Sequence, residues 1–146
     1  MNTINQLLQN KGYQVWTISP DETVLAALEL MAEKDIGALP VVENGRVCGL
    51  FSERDYARKV ILHGRASHST PVRAIMTTQV IFMRPTESIH RCMTLMTDKH
   101  VRHLPVLDEE EHLLGIISIG DVVKTIITEQ QALIDHLQNY ITGVHS

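Results

Sequence analysis

The sequence predicts an α/β (α+β) fold made of two copies of one unit, each strand–helix–strand–strand–helix, related by a pseudo-twofold axis. Three observations predict it. A short apolar run ending in Ser-x-x-Asp occurs twice, at Gly49–Asp55 and at Gly115–Asp121, with the serines 66 positions apart. Two prolines recur at a spacing of 65, Pro20 with Pro85 and Pro40 with Pro105. A buried-face spacing at Val24, Ala27, Leu28, Met31 and Ala32 returns at Ile89, Cys92, Met93, Met96 and Thr97; i, i+3, i+4, i+7, i+8 is the period of one helical face. Internal repetition of this kind decides a fold more firmly than any single local signal.

Taken in order, residues 2–11 predict a short amphipathic helix carrying Ile4, Leu7 and Leu8 on one face, stopped by Gly12. Tyr13–Ile18 reads as a strand, and Thr23 caps a helix running to Lys34. Ile36–Val42 and Val47–Phe51 read as strands joined by Glu43-Asn44-Gly45, since Asn-Gly supplies the positive φ angles of a hairpin turn. Ser52 opens a helix that runs to His63. Gly64–Pro71 is a polar, turn-rich linker. The unit then restarts, with a strand at Val80–Met83, a helix capped by Ser88, and strands at Val101–Leu107 and Leu113–Ile117. The turn Asp108–His112 is one residue longer than its twin, which changes the offset from 65 to 66. A final helix begins at Asp121 and runs, with a bend near Glu129, to Thr142. These readings divide the chain into 1–66, 67–128 and 129–146: the N-terminal helix with the first repeat, the linker with the second, and a C-terminal helix and tail.

Composition narrows the function. With 146 residues the chain buries enough surface to fold without a disulfide or metal. Aromatic residues are 4%, so the core is aliphatic. A net charge of −4 argues against a non-specific nucleic-acid binder. Cys48 and Cys92 lie in apolar stretches and read as small core residues in a reducing compartment. The expected location is the cytoplasm, because the start of the chain lacks a signal-peptide pattern and no apolar run is long enough for a membrane span.

The repeated Gly-h-h-Ser-x-x-Asp (h apolar), the upstream Leu39-Pro-Val41 and Leu104-Pro-Val106, and the Pro-x-x-Thr/Ser start of each helix resemble the CBS domain, which occurs as a tandem pair. The resemblance runs from Val15 to Thr128 and extends to stand-alone bacterial pairs through Ser52–Lys59, Ile75–Thr77 and Arg102–Val106. It implies an adenosine ligand such as AMP, ATP, NAD or S-adenosylmethionine in the cleft between repeats, a homodimer, and regulation of a separate partner protein. No catalytic residue, metal, nucleic acid or membrane is implied.

The residues carry part of that case themselves. An aspartate one turn into a helix accepts hydrogen bonds from both ribose hydroxyls, and free N–H groups at a helix N-terminus favour a phosphate. Apolar strand edges at Ala38–Val41 and His103–Val106, including Pro40 and Pro105, can sandwich an adenine. Against this, Ser-x-x-Asp resembles a capping box, which explains the turn without a ligand. The halves also differ. Arg102-His103 precedes Leu104 where the first half has Gly37-Ala38, and the first turn carries Arg54 where the second has Gly120. The expectation is that Arg54, Arg102 and His103 converge on the phosphate of a nucleotide held by Ser118 and Asp121, leaving Ser52 and Asp55 as the weaker site. Thr17 and Val80, on the predicted first strands, complete the candidate set. A dimerisation scaffold with degenerate clefts is the alternative. An enzyme lacks a nucleophile elbow or a phosphate-binding glycine loop, and His100-x-x-His103 alone provides too few ligands for zinc.

Overall fold

The computed structural model describes residues 3–142 and contains two copies of the predicted unit. In the first, α2 (Val24–Lys34) precedes an antiparallel hairpin of β1 (Ala38–Glu43) and β2 (Arg46–Ser52), followed by α3 (Glu53–Asp55). In the second, α4 (Ile89–Lys99) precedes β3 (His103–Leu107) and β4 (Leu113–Ser118), followed by α5 (Ile119–Ile141). The local signals act as read. Thr23 and Ser88 accept hydrogen bonds from the N–H groups of Ala26 and Arg91 and so satisfy donors that a helix start leaves open. Asn44 and Gly45 take φ of 53° and 77°, the left-handed pair the hairpin turn requires. Both hairpins bulge at the same place, after Val41 and after Val106.

Four elements differ from the sequence reading. The predicted strands Tyr13–Ile18 and Val80–Met83 each reduce to one parallel bridge, Ile18 to Val41 and Met83 to Val106. Pro20 and Pro85, two residues on, lack the N–H needed to continue a ladder. The helix after Ser52 stays α-helical only to Asp55 and widens into a π-helix at Tyr56–Ile61, where Leu62 N–H reaches back to the Ala57 carbonyl. The helix α5 starts at Ile119, two residues before the expected Asp121, and continues through Glu129 to Ile141 as one element.

Each repeat has its own core, with matching residues. Val24, Ala27, Met31, Leu39, Val41 and Phe51 fill the first; Ile89, Cys92, Met96, Leu104, Val106 and Ile117 fill the second. The N-terminal helix α1 (Ile4–Lys11) departs from chain order. Thr3 caps it, and it packs Ile4, Leu7 and Leu8, all at most 2% exposed, into the second core rather than the first. Burying such side chains stabilises by about 1.5–3 kcal/mol each, which fixes α1 on the second half. Its counterpart is the 3₁₀ turn Val72–Ala74 after the linker, which places Val72 and Ile75 in the first core. The anchoring hydrogen bonds match: Ile4 and Asn5 N–H donate to Glu87 and Pro85 carbonyls, and Val72 and Arg73 N–H to Glu22 and Pro20. Each core is therefore completed by the segment that precedes the other repeat in the chain.

Candidate functional site

The β4–α5 turn is a full capping box. Ser118 has extended backbone (φ −99°, ψ 161°), which ends the strand and points its hydroxyl at the helix start. Asp121 N–H donates to Ser118 Oγ at 3.1 Å, and Ser118 N–H donates back to Asp121 Oδ2 at 2.9 Å. The twin turn, Ser52 with Asp55, is built in the same way. Capping thus accounts for the repeated motif in both halves, and what separates the two is what else reaches each aspartate.

At Asp55 both carboxylate oxygens are taken. Oδ2 accepts from Ser52 N–H and Oγ, both at 3.0 Å; Oδ1 accepts from Thr77 Oγ1 and Lys59 Nζ, both at 3.1 Å. The residue is 8% exposed. At Asp121 the further partner is Lys11, whose ammonium donates to Oδ2 at 2.6 Å and to the Ile116 carbonyl at 2.6 Å. Among the described residues nothing donates to Asp121 Oδ1. Burial alone would raise this carboxyl, but Lys11 and the Ser118 N–H outweigh it and hold it below the usual carboxylate range.

Asp121, Ser118 and Ile116 line a cleft of about 460 Å³, within the usual range for a small-molecule site. The other wall comes largely from the first half, from Gln14, Val15, Trp16, Asp35, Ile36, Gly37 and Ala38. Lys11, Gly12 and His103 close it. His103 stands on β3 opposite Ser118, and its ring crosses to Gly37, where a Cβ would come within 3.3 Å of two ring atoms. Glycine at 37 therefore leaves space for the imidazole of the other repeat. Burial, then the cations Lys11 and Arg102, lower the His103 pKa, so the ring is neutral at neutral pH. Lys34 Nζ lies 4.1 Å from the Trp16 ring centroid, a cation–π contact behind the cleft wall.

Of the residues proposed from the sequence, Ser118, Asp121, His103 and Ala38 line this one cleft. Ser52 and Asp55 form their own turn. Arg54 and Arg102 stand outside the cleft lining: Arg54 donates to the His100 carbonyl at 3.0 Å, two residues before Arg102, and Arg102 is exposed. The α4 helix ends at His100 in the left-handed conformation, and carbonyls at such an end lack helical partners; Arg54 supplies a donor to one of them. Pro40 and Pro105 act through buried main chain, their carbonyls accepting from Ile18 and Met83 N–H. Thr17 and Val80 lie outside the lining. Sequence reasoning missed Lys11, Trp16 and Gly37. Trp16 is the only tryptophan, a usable signal; nothing local ties Lys11 to a residue 110 positions away. Among the described residues no three His, Cys, Asp or Glu side chains gather as metal ligands. Cys92 lies in the second core, where burial pushes its thiol up to about 11.

Two small α/β repeats that share a cleft define a tandem-repeat architecture. The family model for the CBS domain matches residues 11–62 and 72–128, and the chain belongs to this family. It is 38% identical to the mitochondrial CBS domain-containing protein CBSX3 of Arabidopsis thaliana, over 97% of this chain and 72% of that one. The structure of a putative signal-transduction protein with CBS domains from Burkholderia ambifaria is 46% identical, covering 88% of this chain and 96% of that one, with a TM-score of 0.84. The CBS domain pair of protein MJ0100, solved with 5′-methylthioadenosine and S-adenosyl-L-methionine, shares the fold at 18% identity, covering 87% of this chain and 97% of that one, with a TM-score of 0.74. No helix among the described residues is long and apolar enough to cross a membrane.

Proposed function

We propose that this chain is a non-catalytic sensor that binds an AMP-type adenine nucleotide in the Ser118–Asp121 cleft and passes the bound state to a separate partner protein. One observation carries the reading. The cleft joins apolar walls from one repeat, Val15, Trp16, Ile36 and Ala38, to an ionised acid at a helix N-terminus of the other. The walls take the flat face of a base. Asp121 Oδ1 takes a ribose hydroxyl, and the α5 start with Lys11 takes a phosphate. The adenosine ligands of the MJ0100 pair support the same ligand class. Ser52–Asp55 is the lesser site, its acid already saturated.

Trp16 makes the test direct, because tryptophan emission reports on this cleft alone. Titrating AMP, ATP, NAD and S-adenosylmethionine should change the emission saturably for at least one of them, without turnover. A flat response to all four would leave the dimerisation scaffold as the better reading, and a chemically altered nucleotide would make the protein an enzyme. The exposed stripe Leu133, Ile134, Leu137 and Ile141 on α5 suits a homodimer contact; a monomer in sedimentation equilibrium at high concentration would rule that out.

A further inference from the structure

We propose that Lys11 is the specificity residue of this cleft: an ammonium latched onto Asp121 that transfers to one anionic group on the ligand, so that the site selects an adenosine monophosphate over both the uncharged nucleoside and the polyphosphate. The inference rests on the adenine-nucleotide reading above and adds to it the charge that the ligand must carry.

The charges lining the cleft set the first limit. Among the described residues Lys11 is the one formal cation in the lining, against the carboxylates of Asp35 and Asp121. Arg54 is committed to the His100 carbonyl, and Arg102 lies outside the lining. His103 is neutral for the reasons given above. One ammonium and one helix N-terminus match one phosphate. A triphosphate would bring several more negative charges towards two carboxylates, with Lys34 and Arg102 standing outside the lining.

The geometry of the latch sets the second. Lys11 Nζ makes two contacts of 2.6 Å, to Asp121 Oδ2 and the Ile116 carbonyl, and its side chain is only 31% exposed. Oδ2 also accepts the Ser118 N–H, which the helix cap needs. A ribose diol arriving at Asp121 meets the open Oδ1 with one hydroxyl, and its second hydroxyl competes with Lys11 for Oδ2 and leaves the cap in place. Once displaced, Lys11 is a partly desolvated cation without its counter-ion, which is costly. A phosphate restores a counter-ion; an unmodified nucleoside does not. The flexible lysine stem, with three rotatable donors, suits a group that must change partners. The first repeat holds a fixed version of the same device. Lys59 contacts Asp55 and the Ile75 carbonyl, both at 3.1 Å, but Thr77 also holds that acid, so no oxygen is left for a sugar.

The test compares Trp16 emission titrations of adenosine, AMP and ATP in the wild type, Lys11→Met and Lys11→Arg. In the wild type AMP should bind at least about tenfold tighter than either competitor. Lys11→Met keeps the stem length and removes the charge, so AMP should weaken, adenosine should tighten, and the gap between them should close to about threefold or less. Lys11→Arg retains the cation and should keep a preference for AMP. Folding should persist in both variants, because Ile4, Leu7 and Leu8 anchor α1; circular dichroism checks it. An AMP-to-adenosine ratio unchanged in Lys11→Met overturns the role of Lys11 while leaving the nucleotide site intact. No response of the wild type to any of the three overturns the nucleotide reading itself, and Lys11 with it.

Discussion

Asp55 and Asp121 stand at the same position of the repeat, each three residues after a serine whose hydroxyl caps the helix start. Their surroundings make them different instruments. Asp55 is enclosed by Ser52, Thr77 and Lys59, and Met76 fills the space above Gly49: a Cβ at that glycine would meet Met76 Sδ at 2.5 Å. Asp121 shares its carboxylate with one movable lysine and borders an open cleft, and the side chain over Gly115 is Leu8 of α1. Duplication copied the cap. The segment laid across each copy, residues 72–77 on one and α1 on the other, decides whether the acid is sealed into the fold or left able to meet a ligand.

Substitution at the two acids should separate these roles. The largest effect is expected from Asp55→Ala, which leaves Lys59, Thr77 and the Ser52 N–H without their acceptor and should destabilise the fold by about 2–3 kcal/mol, discounted because Lys59 is partly exposed. Asp121→Ala loses a capping interaction and the counter-ion of the partly exposed Lys11, together costing about 1–2 kcal/mol of stability, but should weaken nucleotide binding by about 10–100-fold. Urea unfolding and Trp16 titration of both variants read the two quantities. Equal stability losses, or equal affinity losses, would erase the distinction.

A smaller effect sharpens the same contrast through pH. His103 faces Ser118, whereas the corresponding residue facing Ser52 is Ala38. Burial, with Lys11 and Arg102, lowers the folded-state pKa of His103 from 6.5, so the unfolded chain binds that proton more tightly. Its contribution to stability is fully present above about pH 6.5 and is lost as pH falls through the lower folded value. Melting curves from pH 7.5 down to 5.5 should therefore fall more steeply for the wild type than for His103→Gln. Parallel curves would show that the ring is not held neutral by the cleft.

Much of the fold was legible because its determinants are local and appear twice. The helix faces, the caps at Thr23 and Ser88, the Asn44-Gly45 hairpin and the matched cores all follow from residue type and spacing. The lining of the candidate cleft was legible at Asp121, Ser118, His103 and Ala38, which flank the repeated turn in the sequence or pair across from it. Its charge was not. Arg54 was expected at a phosphate, but an unpaired carbonyl at His100 lay closer to hand. Lys11 ends a short helix, and no local pattern shows that this helix packs on the second repeat, where it meets Asp121.

The exchanged packing of α1 also has a mechanical consequence. Residues Ile4–Leu8 are fixed in the second core, while Ile18 is paired to Val41 in the first. The chain between them, carrying Gly12 and the cleft-wall residues Gln14, Val15 and Trp16, spans the two halves along the lip of the cleft. Gly12, at φ +104°, has no atom within 4 Å of where a Cβ would stand. Any rotation of one half against the other must be absorbed along this strap, beginning beside Lys11, and along the second crossing between Thr77 and Met83, so the residue that would exchange partners on ligand binding is also the last fixed point before the chain first crosses.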